Sequence, residues 1–182
     1  MRNQVSQKIL NTARFLFLKY GYLGVSMEDL AKKLKITKPA LYWHFSSKKE
    51  IHKKVLEEIF KELKTEIQIA LKKSQGKTKL QEIIKIYLEF GLKEKGLIRI
   101  LTFSTKETQI RSQVLKFKRK IEKLISNALE EIIPRHQLKF LINLLNGILL
   151  EFSFSNSKYK KEDLNFISKK ILKLFQFNSN LR

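Results

Sequence analysis

The chain has 182 residues, of which 43% are hydrophobic, and its formal net charge is +21. This apolar content argues against wholesale disorder, and 6 Gly and 2 Pro supply too few turns for a β-sandwich or barrel. The charge indicates attraction to polyanions, either nucleic acid or an anionic membrane surface, although a lysine-rich proteome would also raise it. Without Cys, the chain has no disulfides, thiolate metal sites or Cys nucleophiles.

No segment of the sequence reads as a targeting or membrane-spanning signal. The N-terminal "MRNQVSQKIL" lacks the apolar core of a signal peptide. The longest apolar tract, "FLINLLNGILL" (140–150), is interrupted by two Asn and a Gly and predicts a buried helix. We therefore expect a cytoplasmic protein that does not enter the membrane.

The first three helices are short and closely spaced. Apolar residues recur three and four apart over residues 5–20, which predicts a helix that Gly21 ends. Ser26 and Asp29 have the spacing of a capping box and predict the start of a second helix. After "LKI", Thr37 is expected to cap a third helix. Two short helices joined by a short turn match a helix-turn-helix, whose second helix enters the major groove of DNA.

The aromatic run "YWHF" (42–45) ends this third helix. Ala40, Leu41 and Phe45 can pack against the first two helices. Consecutive aromatics on opposite faces of so short a helix cannot all follow them inside. The outward side chains carry donors for phosphate and an aromatic face for sugar or a thymine methyl group, which points to DNA binding.

The remainder also reads as helical. Helices are predicted over residues 48–73, from a capping box at 78–81, over "LIRILTF" (97–103), from 110 to Pro134, over 135–154 and from 162 onward. This makes an all-α protein of about nine helices. Residues 1–54 contain 12 Lys and Arg against 3 acidic residues, so the N-terminal third carries about twice the positive charge per residue of the rest.

No other motif indicates catalysis or metal binding. The three histidines, His44, His52 and His136, lack metal-ligand spacing, and His52 is interpreted as a surface residue of the fourth helix. "GLKEKG" lacks the spacing and the preceding strand of a phosphate loop. We expect no catalytic residue, no metal and no cofactor, and therefore no enzyme.

Residues 5–56, including "ILNTARFLFLKYGYLGVSMEDLAKKLKITKPALYWHFSSKKEI", resemble the DNA-binding domain of the TetR/AcrR family of bacterial transcriptional repressors. The resemblance implies a helix-turn-helix domain over 1–47 and a ligand-binding and dimerisation domain over 48–182. It implies base contacts from Thr37, Lys38, Pro39, Ala40 and Trp43. It implies phosphate contacts from Ser26, Tyr42, His44 and Lys48. One departure is Lys35, at a turn position that is usually Gly in the family.

The resemblance also implies a homodimer that binds a palindromic DNA operator and is released by a small apolar ligand. The last two helices are apolar over more surface than one small core uses, and the expected dimer contacts are Leu145, Gly147, Leu149, Ile167, Ile171 and Leu174. The expected ligand residues are mainly apolar or aromatic: Phe60, Leu63, Ile67, Tyr87, Phe90, Phe103, Phe117, Phe140 and Asn143. Asn146 is a further polar candidate. The same residues could equally fill an ordinary helical core.

Two rival interpretations remain at this stage. Basic amphipathic helices also bind anionic membranes, but such binding does not need a groove-binding helix. A basic architectural DNA-binding protein would use the same motif without any small-molecule inducer.

Overall fold

The computed structural model describes residues 2–95, 98, 108–154 and 159–175. In this part of the chain the structure is all-α, as expected, with eight helices. They are α1 (Arg2–Tyr20), α2 (Met27–Leu34), α3 (Lys38–His44), α4 (Lys48–Lys73), α5 (Gly76–Lys93), α6 (Thr108–Leu129), α7 (Arg135–Phe154) and α8 (Lys161–Leu172). Of the helix expected over 97–103, only Ile98 is described, and Phe103 lies outside the described residues.

Side-chain caps begin two of the short N-terminal helices. The capping box of α2 is confirmed: Asp29 N–H donates to Ser26 Oγ over 3.0 Å, and Ser26 N–H donates to Asp29 Oδ2 over 2.8 Å. Ser26 Oγ also donates to Asp29 Oδ2 over 2.6 Å, and this hydrogen bond, together with the one from Ser26 N–H, lowers the pKa of Asp29. Thr37 caps α3 by accepting from Ala40 N–H over 3.3 Å.

Two later boundaries differ in how they are capped. Ser47 caps α4 by accepting from the N–H of Glu50 over 3.1 Å, and the Glu50 carboxylate accepts from Ser46 N–H over 2.8 Å. In contrast, α5 begins at Gly76, ahead of the capping box expected from residue 78, and makes no side-chain cap hydrogen bond. The expected N-cap of α5, Thr78, was therefore three residues later than the observed N-cap, Gln75.

A continuous apolar core runs through both ends of the molecule. The helices α1 to α3 pack together, and α4 packs against α1, α5 and α6. The helix α5 also packs against α7 and α8. A Cβ at Gly91 of α5 would lie 2.0 Å from Leu149 Cδ2, so any other residue there would displace the buried Leu149 side chain of α7.

An ionic network joins α1 to the larger helices. The guanidinium of Arg14 donates to the carboxylate of Glu62 on α4 over 2.5 and 3.0 Å, and also to the buried Glu94 that follows α5. Lys93 adds an ion pair to Glu62 at 3.0 Å. The network fixes α1 against α4 and against the end of α5.

None of the helices in the described ranges has the length and apolarity required to cross a lipid bilayer.

Candidate nucleic-acid interface

The turn between α2 and α3 has the geometry of a helix-turn-helix. Lys35 adopts a left-handed conformation, with φ 57° and ψ 42°, and its N–H donates to the carbonyl of Lys32 over 3.2 Å. The next N–H, of Ile36, donates to the carbonyl of Ala31 over 3.1 Å. This reversal of the chain ends α2 at Leu34 and lets α3 begin at Lys38.

The helix α3 divides its side chains between core and solvent. Leu41 is fully buried and Phe45 is 6% exposed, whereas Tyr42 and Trp43 are 45% and 62% exposed. Thr37, Lys38, Pro39 and Ala40 are exposed as well. Ala40 does not pack inward as the sequence suggested, because Leu41 and Phe45 fill the inward face of this seven-residue helix. The residues expected to contact bases thus share one exposed surface.

His44 lies at the contact between α3 and α1. Its Nδ1 is 3.0 Å from Ser6 Oγ, and its ring meets that of Trp43 edge-on, with centroids 4.9 Å apart. His44 is half-buried, so it fixes the C-terminal end of α3 and also borders the exposed surface. Ser26, the expected phosphate contact on α2, is exposed.

Lys48 makes hydrogen bonds to backbone carbonyls of the same chain. Its ammonium donates to the carbonyls of Tyr22 and Val25, both over 2.9 Å, and lies 4.1 Å from the centre of the Tyr22 ring. Lys48 therefore fastens the start of α4 to the loop between α1 and α2. Its expected phosphate contact would add to this positioning role.

His52 is buried, and its interpretation as a surface histidine was wrong. It is 2% exposed, between the rings of Phe17 and Tyr22 at centroid distances of 5.4 and 5.1 Å. Its Nδ1 lies 3.0 Å from Gln113 Oε1 on α6. Burial lowers the pKa of His52, an effect that the Gln113 hydrogen bond opposes and the charge of Lys48 adds to. A helical pattern alone does not reveal which neighbours cover a histidine.

A small cavity of about 50 Å³ lies between α5, α6 and α7. Its lining includes Tyr87, Phe90, Lys118 and Asn146. The Tyr87 hydroxyl donates to Asn146 Oδ1 over 2.9 Å, and burial raises the pKa of Tyr87. This inner cavity combines an apolar wall with one hydrogen-bonded polar pair and one cation.

The structure separates the remaining candidate ligand residues. Phe60 and Phe117 line a different groove, between α4 and α6. Leu63 and Ile67 are buried in the core on α4. Phe140 and Asn143 are exposed on α7 and do not line the inner cavity. Apolarity alone could not assign these side chains to one site.

Some of the candidate dimer residues are buried in the single chain and others are exposed. Leu145, Leu149 and Ile171 are 0%, 1% and 4% exposed within the single chain, so they have almost no surface to offer a partner. Ile167 is half-buried, and Gly147 and Leu174 are exposed. The same two helices also expose three aromatic side chains that were not expected in a dimer contact: Phe140, Phe154 and Phe166.

Among the described side chains, no three His, Cys, Asp or Glu residues come together in an arrangement that could bind a metal ion.

Comparison with known proteins agrees with this geometry. Residues 9–55 match the family model described as bacterial regulatory proteins of the tetR family. The negative transcriptional regulator IcaR of the Staphylococcus epidermidis biofilm operon icaADBC is 38% identical over 56 residues, which span 31% of this chain and 30% of that relative. The nucleoid occlusion factor SlmA of Salmonella paratyphi B is 29% identical over 181 residues and 89% of each chain.

Solved structures show the same fold over nearly the whole chain. The transcriptional regulator FadR from Bacillus subtilis, in complex with stearoyl-CoA, aligns with a TM-score of 0.75 at 15% identity, over 92% of this chain and 96% of that one. AibR, in complex with isovaleryl coenzyme A and operator DNA, aligns with a TM-score of 0.71 at 18% identity, over 96% and 97%. Over residues 9–55 the chain therefore belongs with the tetR family of bacterial regulatory proteins, and nearly its whole length has the fold of FadR and AibR.

Proposed function

We propose that this regulator is a homodimeric repressor that binds a palindromic operator and leaves it when a small, largely apolar ligand binds. The observation that carries the proposal is the exposed face of α3, where Lys38, Tyr42 and Trp43 project from a helix held by Leu41 and Phe45. A recognition helix with this division of faces enters the major groove.

The proposed contacts divide into base-reading and phosphate-binding groups. Thr37, Lys38, Pro39, Ala40 and Trp43 form the surface that faces the bases. Ser26, Tyr42, His44 and Lys48 bind phosphates, the last two also orienting α3 and the adjoining loop. Phosphate contacts add affinity for any DNA, whereas base contacts add specificity.

The affinities of variants for operator DNA and for random DNA distinguish base-reading residues from phosphate-binding residues. Lys38→Ala and Trp43→Ala should weaken operator binding by about 1–3 kcal/mol each and leave binding to random DNA nearly unchanged. Tyr42→Phe should weaken both, because it removes a phosphate donor. Lys64→Ala, at an exposed position of α4, is the control. If every variant loses the same affinity on both DNAs, the proposed division is wrong.

A palindromic operator requires two copies of α3 about 34–36 Å apart or a multiple of that. The exposed apolar side chains of α7 and α8 favour a contact between two such helix pairs. We assign this contact to Phe140, Phe154, Phe166 and Leu174, with Gly147 at the closest approach. Exposed aromatic side chains are enriched at protein interfaces.

Ligand binding must widen the inner cavity, since about 50 Å³ accommodates little more than one water molecule. A ligand that binds only the widened state shifts the chain toward that state. The helix α4 is the proposed link, because it runs unbroken from Lys48 near α3 to the core of the larger domain. FadR and AibR, which were solved with acyl-CoA molecules, make acyl thioesters the first compounds to test.

Operator release gives the test of this ligand model. An acyl-CoA of the correct chain length should raise the melting temperature and release operator DNA at the same concentrations. Asn146→Leu, which removes the acceptor for Tyr87 and narrows the cavity, should abolish both effects but retain operator binding. Stabilisation without release of DNA would contradict the repressor model.

A second candidate is an architectural DNA-binding protein without an inducer. The net charge of +21, the small volume of the inner cavity and the similarity to a nucleoid occlusion factor favour it. Footprinting distinguishes the two: a repressor protects one symmetric site, whereas the architectural protein covers many sites with strongly salt-dependent affinity.

A further inference from the structure

A surface groove between α4 and α6 is separate from both the inner cavity and the recognition helix. Its volume is about 280 Å³, just below the range for ligand sites, which begins at roughly 300 Å³. Its apolar side chains are Leu56, Phe60 and Phe117. Four lysines surround them: Lys49 and Lys53 from α4, and Lys116 and Lys120 from α6. We call this site the α4–α6 groove.

The charges around the groove are unbalanced. Glu57 is the one acidic residue in its lining, and it already lies 3.9 Å from Lys53 and 3.4 Å from Lys54. Lys116 and Lys120 are exposed neighbours on one face of α6. Like charges gathered in this way repel one another, so an anion placed between them lowers the electrostatic energy.

The apolar part lies directly beneath these charges. The rings of Phe60 and Phe117 meet edge-on, with centroids 6.3 Å apart, and join the two helices. The Lys120 ammonium lies 5.7 Å from the centre of the half-buried Phe60 ring. A cation and an apolar surface therefore adjoin one another at the same point of the groove.

We propose that the α4–α6 groove binds an anionic amphiphile, with its apolar tail against Phe60 and Phe117 and its carboxylate or phosphate head between Lys116 and Lys120. An acid with a single chain satisfies both halves of the site: the tail covers apolar surface, and the head forms charge-assisted hydrogen bonds. Neither a purely apolar molecule nor a small inorganic anion does so.

The position of the groove also predicts an effect on DNA binding. Gln113 lines one end of it and contacts both His52 and the carbonyl of Lys49, at 3.0 and 3.4 Å. A ligand that bridges α4 and α6 therefore acts where α6 meets the first turns of α4. We expect the bound amphiphile to change operator affinity even when the inner cavity is empty.

Calorimetric titration of the full chain tests the proposal. The probes are decanoate, decyl phosphate, decanol and inorganic phosphate, at low salt. At least one of the two amphiphilic anions should bind with one molecule per chain, and decanol and inorganic phosphate should bind at least about tenfold more weakly. The double variant Lys116→Ser/Lys120→Ser should lose about tenfold in affinity for the anion, because it removes the charged donors.

Two controls make the outcome decisive. Lys61→Ser/Lys64→Ser removes the same charge from exposed positions of α4 outside the groove lining and should leave affinity within about twofold. Asn146→Leu narrows the inner cavity and should have no effect on anion binding. The proposal is overturned if the two lysine double variants lose the same affinity for the anion, or if Asn146→Leu loses that affinity instead. It is also overturned if decanol binds as tightly as the anions, or if neither anion binds.

Discussion

Lys35 occupies a left-handed conformation that favours glycine, because its Cβ crowds the following carbonyl oxygen. Lys35→Gly should therefore raise the free energy of unfolding by about 1 kcal/mol, after part of the relieved strain is offset by the freer unfolded chain. Urea unfolding measures the change. Lys33→Gly, in the helical part of α2, should instead lower stability by about 1 kcal/mol. A loss of stability in Lys35→Gly would contradict the strain argument.

His52 should make stability depend on pH. Burial depresses its folded-state pKa below the unfolded value of about 6.5, so the unfolded chain binds the proton more readily. The stability due to neutral His52 is present above about pH 6.5 and is lost as the pH falls through the folded-state pKa. Between about pH 7 and pH 5, the melting temperature of His52→Gln should therefore fall less than that of the wild type.

The control for this pH dependence is His136→Gln, since His136 is exposed at the start of α7. It should leave the slope of melting temperature against pH unchanged. If both variants have the wild-type slope, the acid sensitivity arises elsewhere, and the contacts of His52 with Phe17, Tyr22 and Gln113 serve packing alone.

At the scale of elements, Arg14 is the main ionic link from α1 to α4 and to the end of α5. Arg14→Leu would leave the buried Glu94 carboxylate without its cation and should lower the free energy of unfolding by about 3 kcal/mol. Arg14→Leu/Glu94→Leu should recover a large part of this loss, because the buried carboxylate is then removed together with its cation. Denaturant unfolding of the two variants provides the comparison.

An exposed ion pair serves as the control for Arg14. Lys32 and Glu28 lie 3.2 Å apart on α2, with both side chains more than half exposed. Lys32→Ala should change stability by less than about 0.5 kcal/mol. If Arg14→Leu lowers the free energy of unfolding by no more than Lys32→Ala does, the Arg14 network contributes no more than an exposed ion pair.

Local signals in the sequence predicted where α2, α3 and α4 begin, whereas the contacts between helices were not predictable. Ser26, Thr37 and Ser47 cap their helices through residues three positions away, which is a distance that a sequence pattern records. Arg14 pairs with residues 48 and 80 positions away, and no periodicity specifies such a partner. The burial of His52 depends on distant neighbours for the same reason.

The sequence also did not show which side chains of α7 are buried and which are exposed. This helix is apolar on most sides, so its pattern could not show that Leu145 points into the core and Phe140 away from it. On α3 the opposite holds, because this seven-residue helix buries only Leu41 and is followed by the buried Phe45, which leaves Tyr42 and Trp43 outside. The exposure of the α3 side chains was therefore easier to predict than the burial of individual residues on α7.

At the scale of the whole molecule, Gly147 offers a clean test of the dimer. A Cβ there meets nothing within 4 Å in the single chain, and glycine is a poor helix former. Gly147→Glu should therefore leave the monomer folded, whereas it places a charge at the proposed contact between copies. Light scattering at micromolar concentration should show the mass falling from two chains to one of 21.6 kDa.

Gln68→Glu adds the same charge to an exposed position of α4 and should leave the mass at two chains. If Gly147→Glu remains dimeric while Phe166→Asp does not, the contact lies on α8 rather than at the middle of α7. A wild-type chain that is monomeric at this concentration would refute the dimer altogether.

The placement of Trp43 gives the chain a built-in optical reporter. It is the only tryptophan in the sequence, and its ring is 62% exposed on the face of α3 that we propose meets DNA. Its emission in the free protein should therefore be that of a water-exposed indole, and contact with a base pair or sugar should shift it to shorter wavelength or quench it. Operator binding and release can then be followed on unlabelled protein, in real time, from a side chain at the proposed DNA contact.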